Sequence, residues 1–501
     1  NDVYSQVRCW DTLIYNHLLK KNIIIPPRAD QQKDSQYEGA YVKDPQLGLH
    51  NWIVSFDLNS LYPHLIMQYN ISPEKFIGVE TKSIGVENFL NEKLDLNWAQ
   101  SKDVTIAPNG AMFKRDKQGF LPELMEKMYG DRVIFKKKAI EAKKEFQKTK
   151  DPIYKNEISR CHNIQMAKKI ALNSAYGAIG NQYFRYFDVK QAEAITLGGQ
   201  LSIRWVEKDV NQFMNKILNT NNVNYVVASD TDSIYLKLDT LVEKVCKDKT
   251  PKQITDFIDK AAEDKIQKVI DKSFDRLAKY VNAFGQKMIM KRELIANKGI
   301  WVAKKRYMMN VFDEEGVRYE IPKLKIMGVE AVKSSTPEVC RGKIKDAIRV
   351  IMNESEEVLI KFVNDFKEVF KTLSPEEVAF PRSCNNLNKY SDSSQIYKKG
   401  SPIHVKGSLI YNHNIYKNKL QRKYPLIKDG DKIKFLMLKQ PNTVKDTVIA
   451  FSTRIPEEFD LHKYVDYDTQ FEKTFTDPLR FILNSIGWKL EREASLESFF
   501  E

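Results

Sequence analysis

The chain has 501 residues, 42% of them apolar, with 80 Lys and Arg against 66 Asp and Glu and a formal charge of +14. That length argues against one core and for three or so domains, and the charge suits a polyanionic partner, although a soluble basic protein carries the same excess. No apolar run approaches the roughly 20 residues of a membrane helix, and the N-terminus lacks the charged-then-apolar layout of a signal peptide. The five cysteines, Cys9, Cys161, Cys246, Cys340 and Cys384, stand far apart with no CxxC pair, which indicates neither a zinc site nor a disulfide framework. A soluble, intracellular chain with reduced thiols is expected.

Residues 52–57 (WIVSFD) read as a short strand, so Asp57 stands at a strand end and opens the run Leu58-Asn59-Ser60-Leu61-Tyr62-Pro63. Taken alone, that carboxylate serves a cation site or caps a helix. Helical periodicity covers residues 121 to about 148 and 153 to about 180, broken around Lys150-Asp151-Pro152, and predicts an αα-hairpin inserted into a sheet domain. On its first helix Arg132 and Lys136, four residues apart, share a face that reaches a triphosphate or is merely solvated. On its second, Lys169, Asn173 and Gly177 form one stripe: a cation, an amide and a gap where a base pair could approach, with Tyr176 beside it. Lys137, Lys138, Lys143 and Lys144 read as solvated surface.

Residues 223–238 read as two β-rich segments, VNYVVA and SIYLKL, joined by SDTD. Asp230 and Asp232, at i and i+2 in a tight hairpin, then face one side of the sheet and attract a divalent cation, though a solvated Asx turn is the commoner use of such a pair. From about Gly328 the chain turns helical and Lys-rich, with a start signal at Ser334-Ser335-Thr336-Pro337 and amphipathic runs through Phe370. The last seven residues, SLESFFE, are acidic with apolar side chains at Leu496, Phe499 and Phe500, a docking peptide or a packed terminal helix.

DLNSLYP followed by SDTDSIY resembles the first and third polymerase motifs of family B DNA polymerases, written DxxSLYPSII and YGDTDS. KKIALNSAYGAIGN resembles the second, KxxxNSxYG, and Lys304-Lys305-Arg306-Tyr307 matches the family's KKRY element. The likeness runs from YSQVRCWDTLIYN and YEGAYVKDP (residues 37–45) to the tail, and is of the T-even bacteriophage type.

This resemblance implies an α+β fold of right-hand architecture, with an antiparallel β palm, helical-hairpin fingers and a mostly helical thumb. Residues 1–50 would be a connector, 51–118 and 182–328 the palm, 119–181 the fingers, and 329–501 the thumb with a clamp-binding tail. The implied reaction is template-directed addition of deoxynucleotides to a primer 3′ end in phage DNA replication, in the cytoplasm of an infected bacterium. Two Mg²⁺ ions, replaceable by Mn²⁺, would be held by Asp57, the Leu58 carbonyl and Asp230, with Asp232 a weaker catalytic ligand and Glu293 nearby. Ser60, Leu61, Tyr62, Arg132, Lys136, Lys169 and Asn173 would bind the dNTP, Tyr62 acting as steric gate against a 2′-hydroxyl. Tyr176, Gly177, Lys304, Lys305, Arg306 and Tyr307 would contact primer–template DNA, with Lys389, Tyr390, His404 and Lys406 in thumb segments that track the duplex. Leu496, Phe499 and Phe500 would bind a sliding clamp.

The sequence departs from the family pattern in places. His64 replaces the Ser usual after SLYP, Ala228-Ser229 stands before the DTD, and the hairpin is shorter than in T-even relatives. The family's 3′→5′ exonuclease domain precedes the connector and is absent from these residues, so it is a separate polypeptide, as in a split polymerase, or was removed; proofreading is not expected of this chain. A catalytically silent DNA-binding subunit would not need Asp57, Asp230, Lys169 and Tyr62. A priming or translesion role is left open.

Overall fold

Ile53, Val54, Ser55 and Phe56 have no solvent exposure, so the strand Gly48–Leu58 is covered on both faces, as its nearly continuous apolar run requires. In the computed structural model, which describes residues 5–29, 32–33, 35–81 and 84–490, this strand lies inside a six-stranded sheet. The strand order is Val226–Asp230, Ser233–Lys237, Gly48–Leu58, Met290–Ala303, Arg306–Glu314, Val317–Met327. Pairing of the first three is antiparallel, with Ile53 opposite Lys237 and Asp57 opposite Ser233.

The chain divides into two units, one from Asn1–Gln46, His50–Gly299 and Asn310–Lys323, the other from Leu47–Leu49, Ile300–Met309 and Leu324–Glu501. In the first, the helix Leu61–Tyr69 follows the central strand at once and crosses the long helix Val189–Leu218 at Gly198-Gly199. A Cβ on Gly199 would stand 3.3 Å from Leu61 and 3.6 Å from Tyr62, so the missing side chain lets the backbones approach and fixes where Tyr62 sits. Asp188 starts the long helix by accepting from the amides of Lys190 and Gln191.

The predicted hairpin is present as Phe120–Thr149 and Ile153–Ile179, turned at Lys150 in the left-handed region (φ 58°), with Asp151 accepting from the amide of Ile153. Small buried residues, Ala139, Ala142 and Cys161, allow close helix packing. The side-chain amide of Asn70 holds the base of the hairpin, donating to the carbonyls of Lys114 and Lys117 and accepting from Gly119 N–H at 2.9 Å.

The regular structure of residues 329–490 is mostly helical, with short strands beside the helices. The second unit contains the helices Glu338–Asn353, Glu356–Phe370 and Ile403–Lys417, but also an antiparallel sheet ordered Phe380–Ser383, Lys432–Met437, Val448–Phe451. Gly407 lets the helix Ile403–Lys417 lie on that sheet, since a Cβ there would stand 2.9 Å from the Ala450 nitrogen. A cluster of Phe366, Phe370, Phe471 and Phe475 rings fills the helical part of the core. Among the described residues, no helix is long and apolar enough to cross a membrane.

Candidate active site

Strand pairing builds the acidic part of the site. The Leu58 N–H donates to the Asp232 carbonyl at 2.7 Å, which sets Asp57 beside the turn that follows Asp230. That turn is tight: Thr231 has φ 60°, unusual for a β-branched residue, and the Asp232 N–H bonds to the Asp230 carbonyl at 2.6 Å. The outer side is held by Tyr41, whose carbonyl accepts from Thr231 N–H, and by a β-bridge between Val42 and Asp230. Glu293, on the strand Met290–Ala303, accepts from the Ser55 hydroxyl at 3.1 Å.

Asp57 and Asp232, with Leu58 and Glu293, line a cavity of about 340 Å³ whose other wall carries Arg132, Lys136, Lys143, His162, Lys169 and Asn173. Asp230 is not among its lining residues, and its carboxylate accepts from the Thr231 hydroxyl at 3.1 Å. The carboxylate pair that the sequence placed on Asp57 and Asp230 is therefore, around this cavity, Asp57 with Asp232. The i, i+2 rule puts two side chains on one face of a straight strand, but here the chain reverses between them.

Electrostatics make the site a cation seat. Burial, then the neighbouring Asp232 and Glu293, hold the Asp57 carboxyl well above the usual carboxylate range, while Lys169 and Lys136 pull it back. Asp232 is raised too, first by burial and then by Asp230 and Glu293, against Lys169. Among the described residues, no three His, Cys, Asp or Glu side chains form a group that could hold a metal ion by themselves. Two half-buried carboxylates and a main-chain carbonyl nevertheless fit a hard dication, because Mg²⁺ takes one or two protein carboxylates and completes its shell from substrate phosphates and water.

The cationic wall is pre-arranged. The Arg132 guanidinium, 7% exposed, donates to the Ser60 hydroxyl at 2.6 Å and to Gln165 at 3.4 Å. Ser60 lies in the left-handed region (φ 46°) between strand and helix, so the turn offers its hydroxyl to the hairpin. Lys136 pairs with Glu315. Gln165 lies four residues before Lys169 on the same stripe and was recognisable by that spacing; Glu314 and Glu315, in a distant hairpin turn, carried no such signal. Lys143, read as solvated surface, lines the cavity.

Tyr62 and Tyr176 form a tilted pair with ring centroids 4.7 Å apart, and Tyr37 meets Tyr176 edge-on at 6.5 Å. Burial, then Asp232, pushes the Tyr62 phenol up to about 12, so it stays protonated. Leu61, Tyr62, Tyr176 and Gly177 are not lining residues of the cavity. In the second unit, Lys304 and Lys305 are exposed at a turn. Arg306 instead pairs with both oxygens of Glu330 at 2.9 and 2.7 Å and covers the Phe481 ring, while Tyr307 stacks on Trp301. Leu496, Phe499 and Phe500 lie outside the described residues.

His64 is buried, its Nδ1 3.0 Å from the Ser60 carbonyl and its ring edge-on to Tyr129 at 4.4 Å. Burial outweighs the Ser60 bond, and with Arg132 and Lys287 nearby it lowers the His64 pKa to about 4, against 6.5 for a free histidine. The unfolded chain thus takes up a proton first. Stability is complete above pH 6.5 and is lost as pH falls toward 4, by ~3 kcal/mol in total. Urea unfolding at pH 7.5 and pH 4.5 is expected to show this loss in the wild type and a smaller one in His64→Gln; equal losses would remove His64 as the cause.

A carboxylate pair at a sheet end thus shares the cavity with cationic side chains from both helices of the hairpin. Residues 4–258 match the family model described as DNA polymerase family B, so the chain belongs to that family. It is 31% identical to the "DNA-directed DNA polymerase" of Enterobacteria phage T4, over 99% of this chain and 60% of that protein. Likeness to the enzyme of the same description from Escherichia phage RB69 is 32% over 100% of this chain and 60% of the relative. "DNA polymerase 1" of Pyrococcus abyssi is 26% identical over 94% of this chain and 51% of its own length. The chain thus spans about 60% of the length of the two phage relatives.

Proposed function

We propose that the chain is the synthetic module of a DNA-directed DNA polymerase, adding deoxynucleotides to a primer 3′ end along a template. The observation that carries this is the cavity that sets Asp57 and Asp232 opposite Arg132, Lys136 and Lys169. In this reading residues 51–118 and 182–328 are the palm, 119–181 the fingers and 329–501 the thumb, joined to a connector at 1–50.

Asp57, Asp232 and the Leu58 carbonyl would hold divalent ions, which when bound favour the ionised primer hydroxyl and neutralise the departing pyrophosphate. Arg132, Lys136 and Lys169 take the β and γ phosphates, with Asn173 on the same stripe. Arg132 needs little reorganisation, because Ser60 and Gln165 already orient its guanidinium. Tyr62 lies under the sugar, held by the Gly199 crossing and by the Tyr176 ring. Lys304 and Lys305 contribute non-specific phosphate contacts.

Primer extension by the purified chain with dNTPs and Mg²⁺ tests the reading, and its absence in the wild type would sink it. Tyr62→Ala is expected to lower dNTP-over-rNTP discrimination by about tenfold or more, since it removes a steric rejection; unchanged kcat/KM ratios would place the sugar gate elsewhere. The partner reading, a sliding clamp on residues 495–501 and a separate exonuclease, rests on the family likeness. Deleting 495–501 is expected to shorten products only when a clamp is present, and a defect without it would assign the tail to packing.

A further inference from the structure

Lys136 is paired with an anion of the protein's own. Its ammonium lies 2.5 Å from the Glu315 carboxylate, the two side chains being 32 and 31% exposed. Glu315 is the first residue of the two-residue turn Glu315-Gly316 between the strands Arg306–Glu314 and Val317–Met327, with φ values of 53° and 79°. Two positive φ values in a hairpin turn favour Asn-Gly. A Glu held in that left-handed position is strained, and such strain points to a use for its side chain.

The turn is also braced. The Glu315 N–H donates to the Glu293 carbonyl at 2.6 Å, and the Gly316 N–H to the Asp313 carboxylate at 3.0 Å. Asp313, with no solvent exposure, is pinned between the guanidinium groups of Arg292 and Arg318, which offset the cost of burying its charge. A braced turn therefore presents Glu315 to the cationic wall, where its ion pair is with Lys136 and its charge also acts on Arg132. The Lys136–Glu315 pair stands in the wall common to the site cavity and a second cavity of about 460 Å³, which Lys291 and Arg292 also border.

We propose that Glu315 is a stand-in for the triphosphate. It holds Lys136 while the site is empty, yields it to the incoming nucleotide and reclaims it when pyrophosphate has formed, so it weakens nucleotide binding and speeds product release. A single carboxylate charge competes with a polyphosphate without excluding it. The inference rests on the reading of Lys136 as a triphosphate ligand.

The test measures dNTP KM and inhibition of primer extension by inorganic pyrophosphate, using the whole chain as wild type, Glu315→Gln, Lys136→Met and the double variant. Glu315→Asn, which suits the turn, guards against a folding effect. Glu315→Gln and Glu315→Asn are each expected to lower KM and the pyrophosphate Ki by about three- to fivefold. Lys136→Met should raise both, and Glu315→Gln should then add nothing. Unchanged values in both Glu315 variants beside a raised KM in Lys136→Met overturn the inference and leave the triphosphate reading standing, as does an equal fall in the Lys136→Met background. Unchanged values in Lys136→Met overturn both.

Discussion

Asp57→Ala and Asp232→Ala are each expected to reduce primer extension by ~10³-fold or more, because each removes a carboxylate that would hold the divalent ions needed to neutralise the attacking oxygen and the transferred phosphoryl group. Asp230→Ala is expected to be at least about tenfold milder than Asp232→Ala, since Asp230 is tied to Thr231 and does not line the cavity. Single-turnover incorporation on a primed template is the measurement. Duplex affinity should be largely preserved in all three, because the duplex contacts are assigned to other residues, Lys304 and Lys305 among them. If Asp230→Ala and Asp232→Ala proved equally inactive, the turn geometry would not be what divides the two roles. Stability without divalent ions supplies an independent check: Asp57→Asn removes a half-buried carboxylate repelled by Asp232 and Glu293, and its Tm is expected to rise by a few degrees.

Lys169→Met should be the next most damaging change, lowering kcat/KM for dNTP by ~10²–10³-fold, on the scale of removing one preorganised charge-stabilising donor. Its side chain has a second task. Lys169 is the leading opponent of the upward shift in both Asp57 and Asp232. Without divalent ions, Lys169→Met therefore leaves two half-buried carboxylates less compensated and is expected to melt at a lower temperature than the wild type. Adding Asp57→Asn should recover the Tm without recovering activity. A Lys169→Met protein with full kcat/KM would remove this residue from the phosphate site, and unchanged thermal behaviour would remove it from the carboxylate balance.

Much of this was legible in sequence because the relevant periods are short. Arg132 to Lys136 and Lys169 to Asn173 are helical spacings, and they reappear on the cationic wall. Asp57 ends an apolar run whose burial on both faces follows from its composition. What stayed hidden depends on contacts distant in sequence. The choice between Asp230 and Asp232 is made by a left-handed Thr231 and a carbonyl from Tyr41, neither visible in a period-two pattern. Arg306 and Tyr307 are read as duplex contacts with Lys304 and Lys305; that Arg306 also meets Glu330 and Phe481 depends on residues far along the chain, which no local rule predicts. The sheet of the second unit was missed because its strands are short and lie beyond Phe370, where helical runs had set the expectation.

The Asn70 clamp at the foot of the hairpin has a mechanical consequence. Taken as a stiff rod turning about that end, Phe120–Thr149 carries Lys136 about 24 Å and Thr149 about 44 Å from the pivot at 1.5 Å per residue. A swing of about 10° around Asn70 displaces Lys136 by about 4 Å and the far end by about 8 Å, by the same helix geometry. The first distance is enough to part an ammonium from its carboxylate. One side-chain amide would thus mark the hinge of a single stiff arm, and the Lys136–Glu315 ion pair together with the Arg132–Ser60 hydrogen bond its latch.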